Sequence, residues 1–68
     1  MNITVELARS KETKIIELKK GSLVEDLLKK LNLKPDTLII MNGKKPIPIN
    51  DTLNDNQKLT IIQVASGG

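Results

Sequence analysis

The stretch Ser22-Leu23-Val24-Glu25-Asp26-Leu27-Leu28-Lys29-Lys30-Leu31 has the periodicity of one amphipathic helix. Its apolar residues recur at the i, i+3, i+4 and i+7 positions, which lie along one face of a helix. These residues are Val24, Leu27, Leu28 and Leu31. The acidic side chains fall in the first turn and the lysines in the last, as the helix dipole favours. We therefore predict one helix that packs a single apolar stripe against a core.

Both ends of this helix carry their own signals. Ser22 and Glu25 have the spacing of a capping box, in which each side chain satisfies an otherwise unpaired backbone amide. Asn32 suits the left-handed position that ends many helices. Pro35 then prevents the helix from continuing. The pattern predicts a helix over residues 22–31.

Two strands precede the helix. Apolar and polar residues alternate strictly over residues 2–8, and residues 13–19 form a second strand-like run. The polar residues 9–12 between them have the length of a hairpin loop, so we predict an antiparallel hairpin. Its expected core residues are Ile3, Val5, Leu7, Ile16 and Leu18.

Shorter segments follow the helix. Residues 37–41 are a short apolar run, and Asn42-Gly43 after it is a strong signal for a tight hairpin turn. Residues 44–49 contain two prolines, which cannot donate ladder hydrogen bonds, so any strand there is short and at a sheet edge. The final strand is predicted over residues 58–64. Two turns precede it, at residues 50–53 and 54–57.

The final strand divides its apolar residues between two faces. Period-2 alternation sends Leu59 and Ile61 to the core, where Leu53 is expected to join them. Ile62 and Val64 then face away from the core. Exposed apolar residues clustered together favour a partner-docking patch, and the alternative is that they are ordinary strand formers on a sheet surface.

The element order is β-β-α-β-(β)-β. One apolar helix stripe and one mainly apolar sheet face predict a two-layer α+β domain. Since the helix supplies a crossover, the last strand can return beside the first in parallel. This is a β-grasp fold, a mixed four- to five-stranded sheet packed on one helix. We expect the domain to span residues 1–64 and residues 65–68 to form a flexible C-terminal tail.

The composition excludes several kinds of chemistry. There is no cysteine and no histidine, so disulfides, thiolate nucleophiles and imidazole bases are all absent. Asp51 and Asp55 fall in predicted turns, where Asp caps backbone amides. We therefore predict no catalytic residue and no metal site in this chain.

The net charge of +3 invites a nucleic-acid interpretation, but the single arginine and the lack of aromatic residues for base stacking argue against it. No apolar run reaches the length of a membrane span. We expect a soluble cytoplasmic protein without membrane partners.

The last two residues, Gly67-Gly68, follow the final strand and leave nothing further to connect. Glycine has no Cβ, so such a tail can lie extended in a narrow slot and present its carboxylate without obstruction. An enzyme that uses this carboxylate as the reacting group requires that access. The alternative is a frayed chain end without a role.

With this order of elements and the terminal diglycine, the chain resembles the ubiquitin-like β-grasp sulfur carriers of the ThiS and MoaD type. The similarity covers essentially the whole chain, and the compact length resembles ThiS more than MoaD. The small residues Ala65 and Ser66 also resemble the carriers. Val64 stands where ubiquitin has an activation-discriminating arginine, which argues against loading by a eukaryotic ubiquitin-activating enzyme. The matching pieces are the helix at 22–31, the Asn42-Gly43 turn, the turn at 54–56 and residues 59–68.

The resemblance implies a carrier substrate rather than an enzyme. An E1-like adenylating enzyme would use ATP and magnesium to convert the Gly68 carboxylate into an acyl-adenylate. Sulfur from a donor would then displace AMP and leave a C-terminal thiocarboxylate. By the same resemblance Ala65, Ser66 and Gly67 serve in recognition of the tail, whereas Ile62 and Val64 dock the domain. No cofactor or metal is expected to bind this chain itself.

Three functions remain open from the sequence. The sulfur could pass to an acceptor synthase in thiamine or molybdopterin biosynthesis, or serve tRNA thiolation. Alternatively, Gly68 is joined through an amide to lysines of a target protein, in which case the protein is a modifier. The same acyl-adenylate feeds both outcomes. The third is an interaction module whose terminal glycines are inert.

Overall fold

One helix packs on a five-stranded sheet over residues 1–64, which are the residues that the computed structural model describes. The predicted tail at residues 65–68 lies outside this part of the chain. The strands are β1 (Asn2–Leu7), β2 (Glu12–Glu17), β3 (Leu38–Asn42), β4 (Lys45–Ile47) and β5 (Lys58–Gln63). The helix α1 spans Val24–Lys30, and a short 3-10 helix at Pro35–Thr37, which the sequence pattern does not predict, leads into β3.

The sheet has the strand order β2-β1-β5-β3-β4. The first and last strands, β1 and β5, are parallel neighbours, and the other three pairings are antiparallel. This mixed order confirms the predicted β-grasp fold. The three-residue strand β4 contains Pro46 and lies at an edge, as the proline pattern predicts.

The core between helix and sheet confirms the predicted alternation and helix stripe. Leu7, Ile16 and Leu31, which the sequence also assigns to the core, are partly buried and pack against it. Ile40 on β3 is the core residue that the sequence interpretation does not name. The buried apolar residues are Ile3, Val5, Leu18, Val24, Leu27, Leu28, Ile40, Leu53, Leu59 and Ile61.

The predicted capping box of Ser22 and Glu25 is wrong. Leu23 is the N-cap residue, and its backbone N–H donates to Oδ2 of Asp26 at 2.8 Å. The hydroxyl of Ser22 instead donates to the carbonyl of Lys19 at 2.7 Å. The helix therefore begins one residue later than a Ser22 cap requires.

A distant loop explains this shift. The first amides of a helix have no partner inside the helix. Here the N–H of Val24 donates to the carbonyl of Asp51 at 3.0 Å, and the N–H of Glu25 donates to the carbonyl of Ile49 at 2.8 Å. Because these backbone carbonyls satisfy the helix start, a Ser22 side-chain cap is unnecessary.

The predicted helix end is confirmed. Asn32 has φ +59°, the left-handed conformation that asparagine tolerates. The N–H of Leu33 donates to the carbonyl of Leu28 at 2.9 Å, and the N–H of Asn32 donates to the carbonyl of Lys29 at 3.1 Å. These two bonds form a Schellman motif. The chain reverses here and runs back toward β3.

The predicted turns before β4 and β5 are also confirmed. Gly43 is the first of two residues between β3 and β4 and has φ +67°, a conformation in which a Cβ is strained. Asn56 has φ +62° in the turn before β5. The described residues contain no helix long and apolar enough to cross a membrane.

Candidate functional site

The strand β5 leads to the predicted tail. It lies at the centre of the sheet, between β1 and β3, and Leu59 and Ile61 anchor it in the core. Pairing continues to the last described residue, since the N–H of Val64 donates to the carbonyl of Thr37 at 2.9 Å. The chain is therefore hydrogen-bonded to the sheet as far as Val64.

The predicted tail site lies outside the described residues. It comprises Ala65, Ser66, Gly67 and the reactive terminus Gly68, whose roles remain predictions.

The structure places both predicted docking residues on the sheet face opposite the core. Val64 is 58% exposed, whereas Ile62 is half-buried. Ile62 lies directly across from Ile39 of β3, whose side chain is 39% exposed. Ile62 is thus less accessible than the alternation suggested, because a neighbouring apolar side chain shields it.

A wider apolar surface surrounds these two residues. We call Ile39, Met41, Ile62 and Val64 the outer patch. Ile39 and Met41 alternate with the buried Ile40, so their side chains share the face of Ile62. The sequence interpretation gave Met41 no role and did not name Ile39. The sequence does show that Ile39 and Met41 alternate with Ile40. The strand register that places Ile39 beside Ile62, however, is a feature of the tertiary structure.

Asp51 and Asp55 form hydrogen bonds that stabilise turns and the helix start. Asp55 Oδ1 accepts hydrogen bonds from the backbone N–H groups of Asn2 at 2.9 Å and Asn56 at 3.1 Å, which confirms its capping role. Asp51 acts through its backbone carbonyl at the helix start rather than through its side chain. Within residues 1–64 no three His, Cys, Asp or Glu side chains cluster as a metal site would require.

The sequence interpretation missed a cavity of about 390 Å³ near the end of β5. It opens on the helix-facing side of the sheet, because its lining includes the core-face residues Leu7 and Ile61. The exposed residues Arg9, Ser10 and Gln63 line it as well. The end of β5 therefore has an apolar patch on one face and a cavity with polar groups on the other.

Solved structures define the class of this fold. The chain superposes on the crystal structure of SAMP1 from Haloferax volcanii with a TM-score of 0.77, at 13% identity and with full coverage of both chains. It superposes on the Caldiarchaeum subterraneum ubiquitin with a TM-score of 0.79, at 20% identity, covering 100% of this chain and 98% of that one. The fold is that of a ubiquitin-like β-grasp protein.

The sequence places the chain within this class. The model of the family described as small archaeal modifier protein 2 matches residues 1–65, and the protein belongs to that family. It is also 27% identical over 60 residues to the sulfur carrier protein TtuB of Thermus thermophilus, covering 88% of this chain and 92% of TtuB. The predicted resemblance to ubiquitin-like sulfur carriers is thereby confirmed.

Proposed function

We propose that this protein is a sulfur carrier whose Gly68 carboxylate is adenylated by a partner enzyme and then converted into a thiocarboxylate. The observation that carries the proposal is the likeness to the sulfur carrier TtuB across 88% of the chain. The absence of cysteine supports it, because the chain has no thiol that could hold activated sulfur. The C-terminal carboxylate is then the remaining place for it.

The chemistry requires an outside activator. A carboxylate is anionic and lacks a good leaving group, so sulfur does not attack it directly. Attack of a carboxylate oxygen on the α-phosphorus of ATP forms the acyl-adenylate and releases pyrophosphate. A sulfide or persulfide sulfur then attacks the acyl carbon, AMP leaves, and a thiocarboxylate remains; a persulfide donor also needs a thiol to cleave its S–S bond. The magnesium that stabilises the phosphate charge belongs to the adenylating enzyme.

The contribution of this chain is to present its C-terminal tail to the adenylating enzyme. The central strand β5 holds the tail at a fixed point, and the outer patch beside it offers an apolar docking surface for an E1-like adenylating enzyme. A sulfur donor and an acceptor synthase or target complete the set of partners. We place these steps in the cytoplasm, and the chain acts in them as a substrate rather than as a catalyst.

Protein modification is the second candidate, and the description of the family as small archaeal modifiers favours it. It uses the same acyl-adenylate. A lysine amine of a target protein, instead of sulfur, attacks the acyl carbon; AMP leaves, the amine loses a proton, and the product is an amide.

One measurement separates the two candidates. Lys58 is the last basic residue, so trypsin releases residues 59–68 as one peptide. This peptide contains no methionine and no cysteine, so methionine oxidation at Met1 or Met41 cannot imitate the replacement of oxygen by sulfur. Protein purified from its native host under non-hydrolysing conditions is digested, and the mass of this peptide is read.

Each outcome identifies a function. Replacement of one terminal oxygen by sulfur in the peptide supports sulfur carriage. Residues 59–68 attached to lysines of other proteins support modification. If neither form occurs, and deletion of Gly68 leaves the host phenotype unchanged, the chain is an interaction module and the proposal is wrong.

A further inference from the structure

The cavity near the end of β5 is not used by the chemistry described above. The parallel strands β1 and β5 end on the same side of the sheet, and Val64 follows β5 there. The floor of the cavity is apolar and is formed by Leu7, Leu33, Leu38 and Ile61. Its volume of about 390 Å³ is within the usual range of ligand pockets.

The polar rim of this cavity carries one cation, the guanidinium of Arg9. Arg9 is the sole arginine of the chain, and its Nη1 donates to Oε1 of Gln63 at 3.2 Å. A guanidinium has five N–H donors, so one bond to a neutral amide leaves it able to bind an anion. Arginine also matches the geometry of a carboxylate by donating two parallel hydrogen bonds. The hydroxyl of Ser10 is a further donor on the rim.

We propose that this cavity is a seat for the chain's own C-terminal segment, with the Gly68 carboxylate bound by Arg9 and Ser10. The reach is sufficient, because four residues beyond Val64 span up to about 13 Å and the guanidinium is bonded to the Gln63 side chain. The segment has small side chains, and glycine readily adopts the turn that folds it back. A ligand tethered so closely has an effective concentration on the order of millimolar.

Other charged groups near the cavity define the controls. Glu12 lies across from Leu7 in the β1–β2 register, so its side chain shares the sheet face of the cavity and can compete for Arg9. Lys11 precedes it in the hairpin turn, and Lys34 and Asp36 lie on the segment between Leu33 and Leu38. Glu12 is therefore the residue whose removal should favour the seated tail.

The seat has a consequence for activation, and only this consequence depends on the proposed adenylation. A partner that needs the extended tail binds only the unseated fraction of the protein. If half of the molecules are seated, the apparent Kd of that partner rises about twofold. The seat would thus keep the terminus close to the domain until a partner withdraws it.

The test is an NMR pH titration of the full chain that follows the Gly68 carboxyl carbon. A neighbouring cation favours the charged carboxylate, so the pKa of this carboxyl should be lower in the wild type than in Arg9→Gln. Arg9→Lys, which keeps the charge without the planar fork, should give an intermediate pKa. In Glu12→Gln the lowering should persist or increase. In urea, the wild type and Arg9→Gln should titrate alike.

A second measurement locates the seat. Deletion of Gly67 and Gly68 should shift the resonances of Ser10, Leu33 and the Gln63 side-chain amide, and leave Ile39 and Met41 unchanged. Equal Gly68 pKa values in the folded wild type and Arg9→Gln would overturn the proposal, as would shifts at the outer patch or none at all. Neither measurement involves an activating enzyme. The proposed seat can therefore be refuted without refuting sulfur carriage, and sulfur carriage can be refuted without refuting the seat.

Discussion

Val64 and Ile62 lie on the same face of β5, yet their surroundings differ. Val64 is 58% exposed at the strand end, whereas Ile62 is half-buried across from Ile39. An Asp at position 62 would therefore report on stability as well as on docking, because a partly desolvated carboxylate is costly. Val64 is the cleaner probe of the outer patch.

We expect Val64→Asp to slow adenylation without loss of stability. The new carboxylate remains solvated in the free protein, so the free energy of unfolding should change by less than about 0.5 kcal/mol. In a docked complex the same carboxylate would be desolvated, and a central contact of this kind costs about 2 kcal/mol or more. The measurements are the unfolding midpoint and the adenylation rate at limiting carrier concentration.

Ile15→Asp is the matched control for this substitution. Ile15 is 69% exposed on β2, the strand at the opposite edge of the sheet from β4, and lies outside the outer patch. This control should leave both measurements unchanged. Equal slowing by the two variants would indicate a general charge effect, and normal adenylation of Val64→Asp would move docking to another surface.

At the scale of elements, α1 combines local and distant determinants. Its stripe is local, since Val24, Leu27 and Leu28 are buried at the spacing that the sequence prescribes. Its start is stabilised by a segment distant in the sequence, since two of its first amides donate to carbonyls in residues 49–51. The helix of seven residues is too short to be stable alone. It is held by its packing and by this loop.

Leu27→Ala should destabilise the domain strongly. Leu27 is fully buried, and removing such a side chain costs roughly 2–5 kcal/mol in lost transfer energy and cavity formation. This is a large part of the total stability of a small domain. Chemical denaturation measures the change.

Leu31→Ala provides the comparison within the same stripe. Leu31 is only partly buried at the end of the helix, so its truncation should cost clearly less than that of Leu27. Equal destabilisation of the two variants would contradict the deeper burial of Leu27. A loss below about 1 kcal/mol for Leu27→Ala would contradict its burial in the core.

At the scale of the whole molecule, the fold separates stability from chemistry. Within residues 1–64 the ten buried apolar residues lie between Ile3 and Ile61, and β5 has a neighbouring strand on each side. Under the proposed function, a partner enzyme can therefore bind the residues beyond Val64 while every described core side chain stays in place. A ubiquitin-like carrier needs this separation because its terminus is chemically altered while its body is recognised.

Deletion of Gly67 and Gly68 should leave the fold intact and abolish activation. We expect the free energy of unfolding to change by less than about 0.5 kcal/mol, since no described core contact is removed. Formation of the AMP adduct with the adenylating enzyme should disappear, as mass spectrometry of the mixture would reveal. A truncated chain that still accepted AMP at Val64-Ala65-Ser66 would contradict the assigned role of the diglycine.

Local patterns in the sequence are enough to specify the two layers of this protein. The helix stripe from Val24 to Leu31 and the alternation in β1 and β5 are local periodic patterns, and burial of one face follows directly from them. The same patterns placed Ile62 and Val64 outside the core. The diglycine at residues 67 and 68 is evident in the sequence as well, whereas residues 65–68 lie outside the described structure and their roles remain predictions.

Features built from residues far apart in the sequence depend on how the whole chain packs. The helix start depends on the carbonyls of Ile49 and Asp51, the outer patch on the pairing of Ile39 with Ile62, and the cavity rim on Arg9 and Gln63. Arg9 and Gln63 are 54 positions apart. Periodicity specifies which face a side chain occupies, whereas the side chain it meets there depends on strand order and register, which packing of the whole chain sets.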